Sequence, residues 1–264
     1  MADILTSMTG GVATITFNRP EARNAISRAM MDELITLLRS LGERDDVRCV
    51  VFKGAGEHFT GGGDVQSFGE TLGLSAVERK HLYEQRVTAS AELFELLERL
   101  DKPTVALARG AVAGAGLSFV LAADFALASE NAFFVFAHGR IAIALDSALS
   151  YYLPRAVGLR KAKELTLAGA RLDAREAEAL GIVTRVLPNA ELDAEGDKLA
   201  AMLAQGATRA MGESKALLRA SLTNGVFAQV GLEAAAVGRC AATDDFKEGV
   251  SAFLERRNPR FEGR

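Results

Sequence analysis

The chain has 264 residues, 49% of them hydrophobic, enough for one large domain or a domain with an appendage. With 31 Lys and Arg against 34 Asp and Glu the net charge is −3, and basic clusters are as short as Arg256-Arg257, so no electrostatic footprint for nucleic acid is present. Apolar runs are too short or interrupted to span a bilayer, Met1-Ala2-Asp3-Ile4 lacks a basic leader pattern, and Cys49 and Cys240 suggest no disulfide framework, so a reducing cytoplasm is expected.

Residues 11–18 alternate, with Val12, Thr14 and Thr16 against Ala13, Ile15 and Phe17, and predict a strand. Ser27 is the expected N-cap of a helix whose apolar face is Met30, Leu34, Leu37, Leu38 and Leu41. Residues 47–52 predict a second strand, with Cys49 inside it as a small buried hydrophobe. Residues 66–82 are polar and poorly periodic and read as a mobile loop. A long helix with a frayed start is expected over about 77–100, facing Leu93, Phe94, Leu97 and Leu100 inward and stopped by Pro103. Residues 104–108 predict a third strand, and 125–128 and 132–137 two short ones. From Asp146 onward the pattern is largely helical, with Gly181 ending a short helix begun near Asp173.

Two glycine-rich turns stand out: His58-Phe59-Thr60-Gly61-Gly62-Gly63-Asp64 and Gly110-Ala111-Val112-Ala113-Gly114-Ala115-Gly116-Leu117. Each follows a strand and precedes a run that can be helical. Such turns leave backbone N–H groups aimed outward, and two that converge can hold an oxygen as negative charge builds on it. Taken singly, each also reads as a tight turn and no more. The first lacks the Gly-Lys-Ser/Thr of a P-loop, and the second has Phe119 where a dinucleotide fingerprint needs a glycine. Asp146 follows five apolar residues and precedes a helical run. It reads as a helix N-cap or as a carboxylate poised as a base by apolar surroundings. His58, His81 and His138 form no ligand pattern, so no metal is expected.

These turns, together with Asn18-Arg19-Pro20-Glu21-Ala22-Arg23-Asn24-Ala25, Leu153-Pro154-Arg155-Ala156-Val157-Gly158, Gly181-Ile182-Val183-Thr184-Arg185-Val186-Leu187-Pro188 and Thr243-Asp244-Asp245-Phe246-Lys247-Glu248-Gly249, give a sequence that resembles the crotonase (enoyl-CoA hydratase/isomerase) superfamily over nearly its whole length. The resemblance implies an α/β fold, a crotonase-like spiral of ββα units over 1–190, and a helical C-terminal trimerisation region over 191–264. It also implies a homotrimer or dimer of trimers, and the apolar residues Leu217, Leu218, Phe227, Val230 and Leu232 suit such an interface. Coenzyme A is expected only as part of a thioester substrate.

By the same resemblance the oxyanion-hole amides fall on Gly63 and Ala115, a base against the nucleotide phosphates on Arg23, with Arg28 and Lys247 less secure, and the adenine contact on Gly61. Asp64 joins the expected coenzyme A contacts, though closing the turn is the plainer reading of its carboxylate. Family hydratases position water between two glutamates; the matching positions hold Ser118 and His138. The dehalogenase histidine position holds Ala91. An aspartate at the position of Asp146 is the base of the family's isomerases. The resemblance therefore favours an acyl-CoA double-bond isomerase, with a hydratase or hydrolase, or a non-catalytic acyl-CoA-binding protein, as alternatives. The polar segment 66–82 would shape the acyl pocket.

Overall fold

The computed structural model describes residues 2–264. Strands β1 (Ile4–Thr9) and β2 (Val12–Phe17) form an antiparallel hairpin. Gly10 and Gly11 close it at φ 56° and 81°, a conformation that favours residues without a Cβ. β1 lies beyond the expected elements; it is an edge strand with only Ile4 buried, so it carries no alternation to read.

Helix α1 (Arg28–Glu43) starts where Ser27 accepts a hydrogen bond from the Met30 N–H at 3.2 Å, and it buries Met30, Leu34, Leu38 and Leu41. Burying one such side chain is worth about 1.5–3 kcal/mol. There follow β3 (Cys49–Gly54), α2 (Val65–Gly69), α3 (Ala76–Arg99), β4 (Thr104–Ala108), β5 (Ala111–Ala113) and α4 (Ala115–Ala122). The segment read as a loop over 66–82 is instead a short helix and the first turns of α3. Asp64 caps the former, and Ser75 with Glu78 forms a capping box on the latter, which closes the start that was expected to fray. Next come β6 (Phe125–Ser129), β7 (Phe133–Val135), α5 (Leu149–Val157), α6 (Leu159–Leu167), β8 (Arg171–Asp173), α7 (Ala174–Ala179) and β9 (Arg185–Leu187). Four helices end the chain: α8 (Leu192–Ala204), α9 (Thr208–Ser221), α10 (Val226–Ala241) and α11 (Asp244–Glu255).

The main sheet has the order β1-β2-β3-β4-β6-β9, parallel from β2 onward; a smaller sheet has the order β5-β7-β8. Successive turns of the chain place a strand in the first sheet, a strand or single bridge in the second layer, and then a helix. The bridges Ile26–Gly63 and Thr60–Val112 extend the second layer back to the first two turns. This is a spiral of ββα units.

The parallel strands are covered on both faces, which explains their continuous apolar runs. One face packs Ile15, Phe17, Phe52 and Ala106 against α1, α3 and α4. The other packs Val51, Val105, Leu107 and Leu127 under Leu192, Ala200 and Leu203 of α8. Cys49 lies in that second core, where burial pushes its thiol up to about 12. The last three helices leave a broad apolar surface uncovered, with Phe227 95% and Phe253 83% exposed, besides Leu218, Val226, Val230 and Val237.

Candidate active site

Both glycine turns are built by backbone hydrogen bonds that leave particular N–H groups unused. In the first, the Ile26 N–H donates to the Gly62 carbonyl at 2.8 Å, and the Asp64 N–H donates to the Ile26 carbonyl at 3.3 Å. An extended chain alternates its polar groups, so the Gly63 N–H between them faces the opposite way. The Thr60 hydroxyl accepts from the Gly62 N–H at 3.1 Å. In the second turn Gly114 holds φ 50° and ψ −125° and starts α4 at Ala115. The Leu117 N–H closes back on the Gly114 carbonyl at 3.0 Å, which leaves the Ala115 N–H among the free donors at a helix start.

The two turns touch. A Cβ built on Gly62, which has φ 95°, would lie 3.2 Å from the Gly114 Cα; one built on Gly114 would lie 3.6 Å from the Gly63 nitrogen. Alanine at position 115 costs nothing here, because the strained conformation falls on Gly114. Beneath the turns, the Phe119 ring meets Phe17, Phe52 and Phe94 at centroid distances of 5.2–5.8 Å, a rigid platform for α4.

Further hydrogen bonds brace the first turn. Asn24 donates to the carbonyls of Ala55 and His58 at 2.9 and 2.7 Å, and the Arg23 carbonyl accepts from the Gly61 N–H at 2.7 Å. Arg19 donates to Asp64 at 2.9 Å, while Asp64 also accepts from the Gln66 N–H at 3.2 Å. Asp64 thus lines the cavity with its carboxylate already engaged in closing the turn. His58 accepts from the Ala111 N–H at 3.1 Å, a structural contact between the two turns.

A cavity of about 370 Å³ opens in front of the turns, a size suited to a small-molecule group. Gly61, Gly63, Asp64, Ala115, His138 and Asp146 all line it. Its other walls include Ile26, Met31, Phe68, Val87, Ile141 and Ile143. Arg23 is exposed beside Gly61, outside the cavity lining. Lys247 is on α11, paired with Asp244 at 2.9 Å, and also lies outside that lining.

Asp146 is no helix cap. Helix α5 starts at Leu149 with Ala148 as N-cap, and Asp146 contributes only its carbonyl, which accepts from the Leu149 N–H at 2.9 Å. Ser147 and Ala148 hold φ 51° and 58°, a left-handed conformation costing roughly 1–2 kcal/mol per residue. This kink frees the Asp146 side chain, whose one hydrogen-bonding neighbour among the described residues is His138. The His138 Nε2 lies 3.4 Å from the Asp146 Oδ1, longer than a good N–H···O bond. His138 is 8% exposed and its Nδ1 is buried without a partner among the described residues. A one-turn helix over His138–Ile141 reverses the chain and brings the two together. Ser118, at the other position where hydratases carry glutamate, is fully buried within α4 and lies outside the cavity lining.

Two features of the cavity escaped the sequence reading, the contact between His138 and Asp146 and the presence of Arg86. The eight-residue gap from His138 to Asp146 matches no helix or strand period, so nothing in the sequence pairs them. Arg86 lies on α3 with Tyr83, Val87 and Ser90, a face at the three- and four-residue spacing that mixed polarity concealed.

A sequence model of the family described as enoyl-CoA hydratase/isomerase matches residues 7–264. The chain is 36% identical over 255 residues to a Rhodobacter capsulatus protein named "Probable enoyl-CoA hydratase", spanning 96% of this chain and 95% of the relative. It is 32% identical over 266 residues to a trans-2-decenoyl-[acyl-carrier-protein] isomerase of Streptococcus mutans, spanning 99% and 98%. The crystal structure of an enoyl-CoA hydratase from Bacillus anthracis superposes with a TM-score of 0.91 at 29% identity over 100% of both chains. With a spiral fold, abutting glycine turns and a family match along almost its entire length, this chain belongs to the enoyl-CoA hydratase/isomerase family, the crotonase superfamily.

Proposed function

We propose that this protein is an acyl-CoA double-bond isomerase. The thioester carbonyl of a 3-enoyl-CoA accepts hydrogen bonds from the Gly63 and Ala115 N–H groups. Asp146 takes the proton from the carbon between carbonyl and double bond, and the electron pair moves onto the carbonyl oxygen as an enolate. The two donors strengthen as that charge grows; removing one donor of this kind costs about 10²–10³ in kcat. The carboxylic acid then returns the proton to the far end of the former double bond, giving the conjugated 2-enoyl-CoA. Nothing is added or lost, so a single carboxylate suffices.

The observation that carries this reading is one carboxylate, tethered to no helix, in the same cavity as two unused backbone donors, while neither glutamate position of the hydratases holds an acid. Coenzyme A enters as part of the substrate. Its adenine would meet the Gly61 carbonyl, which accepts no hydrogen bond among the described residues, and Arg23 would lie against its phosphates. The uncovered apolar surface of the last three helices supports assembly into a homotrimer or a dimer of trimers.

The Asp146–His138 pair supports a second reading, addition of water or hydrolysis, because the two groups together can orient and deprotonate a water. Product analysis separates the readings. The isomerase converts 3-enoyl-CoA to the conjugated thioester, read by its ultraviolet absorbance. Formation of 3-hydroxyacyl-CoA from 2-enoyl-CoA without that conversion indicates a hydratase, and release of free thiol a hydrolase. Binding of acyl-CoA without turnover of any of them indicates a non-catalytic binder.

A further inference from the structure

The cavity holds a cation that the isomerase chemistry leaves unused. Arg86 lines the cavity from α3; the residue is half-buried, and its Nη1 is buried with no hydrogen-bond partner among the described residues. Its guanidinium carbon lies 5.5 Å from the centroid of the Tyr83 ring, a cation–π contact that orients the group without satisfying its N–H donors. The other arginine lining the cavity, Arg28, is paired with Asp32 at 3.1 Å. Arg19, close by, is paired with Asp64 at 2.9 Å.

A guanidinium does not escape burial by losing its proton. An unpaired buried donor is costly, and a charged one more so. Its planar fork of N–H groups matches a carboxylate in a two-point contact. The surrounding walls are largely apolar, among them Met31 and Phe68, and the cavity opens to solvent beside Val87 and Ile141.

We infer that the acyl group accepted by this cavity ends in a carboxylate, held by Arg86, so that the substrates are ω-carboxyacyl thioesters rather than simple fatty acyl ones. This rests on the cavity being the acyl site of the proposed reaction, but not on which reaction occurs there. Arg86 is then a specificity-determining residue at the distal end of the acyl group, while the glycine turns hold its carbonyl.

The test is calorimetric titration of the full-length protein with saturated acyl-CoA pairs of equal length: glutaryl- against pentanoyl-CoA, adipoyl- against hexanoyl-CoA, and suberoyl- against octanoyl-CoA. Saturated ligands undergo no double-bond shift, so the outcome is independent of the isomerase assay. In at least one pair the carboxylate member should bind about tenfold or more tightly than its methyl partner, the size of a charge-assisted contact. Arg86→Met should bring that ratio to near one, and Arg86→Lys should restore part of it. Equal or tighter binding of the methyl member in every pair overturns the inference. So does a ratio that survives Arg86→Met. A loss on Arg86→Met that is equally large for coenzyme A alone also overturns it, because the arginine would then be a nucleotide-phosphate contact. Thermal melting of both variants checks that the fold is intact.

Discussion

Gly62→Ala should damage this site without removing a single hydrogen-bond donor. The glycine holds φ 95°, and an added Cβ would lie 2.9 Å from the Ala113 carbonyl oxygen and 3.2 Å from the Gly114 Cα. The left-handed backbone alone costs an L-residue roughly 1–2 kcal/mol. Overpacking against a rigid neighbour adds about 1–3 kcal/mol. The sum, about 2–5 kcal/mol, corresponds to a fall in melting temperature of roughly 5–15 °C for a chain of this size. Relieving the contact requires the two turns to part by about 0.5 Å, the tolerance within which catalytic groups must be held. A misplacement of ~1 Å can cost about 100-fold, so kcat on 3-enoyl-CoA should fall by about 10–100-fold. Gly63→Ala is the matched comparison: its Cβ would lie at an ordinary 3.6 Å from Phe68, and its N–H is kept. It should lose less stability and less activity than Gly62→Ala. The assay is a melting curve plus steady-state conjugation of 3-enoyl-CoA. Wild-type kcat and melting temperature in Gly62→Ala would refute the abutting-turn geometry.

Gly63→Pro removes an N–H outright and should lower kcat by about 100-fold or more, with circular dichroism verifying that the turn survives; undiminished turnover in a folded variant would take Gly63 out of the mechanism. Light scattering should give particles of three or six chains, and charged replacements at Phe227 and Phe253 should dissociate them; a single-chain mass for the wild type would contradict the assembly. The Cys49 thiol, raised to about 12 chiefly by burial, stays protonated at mildly alkaline pH, so alkylation of the native protein should mark the half-buried Cys240 and spare Cys49. Mass spectrometry showing Cys49 modified at a comparable rate would place that core outside the folded interior.

The elements that pack through a repeating apolar pattern were legible in the sequence. Ser27 with the Met30-Leu34-Leu38-Leu41 stripe gave α1, and the buried run of residues 104–108 coincides with β4. The edge strand β1 and the three-residue β8 and β9 were not, because they bury too few side chains to show alternation, whereas the three-residue β7 falls within the expected strand 132–137. For β1 the Gly10-Gly11 pair was a usable hairpin signal. The polar 66–82 segment hid its helices because Asp64 and Ser75, typical turn residues, act there as caps. The glycine turns could be recognised singly, but their contact depends on spiral topology that sequence spacing does not encode. Asp146 was visible as a carboxylate after an apolar run, yet its release from the helix depends on left-handed backbone at Ser147 and Ala148, where no glycine marks it.

In the proposed reaction Asp146 carries the proton of the 1,3-shift. Because its carboxylate caps no helix, both Asp146→Asn and Asp146→Ala should keep the wild-type melting temperature, and both should still bind acyl-CoA. Neither side chain can act as a base near neutral pH. The most direct measurement is the rate of 3-enoyl-CoA conjugation by wild type and Asp146→Asn under saturating substrate. Wild type should turn over measurably, and the variant should lose about 100-fold or more. Near wild-type turnover by Asp146→Asn would contradict that role and move the base to His138.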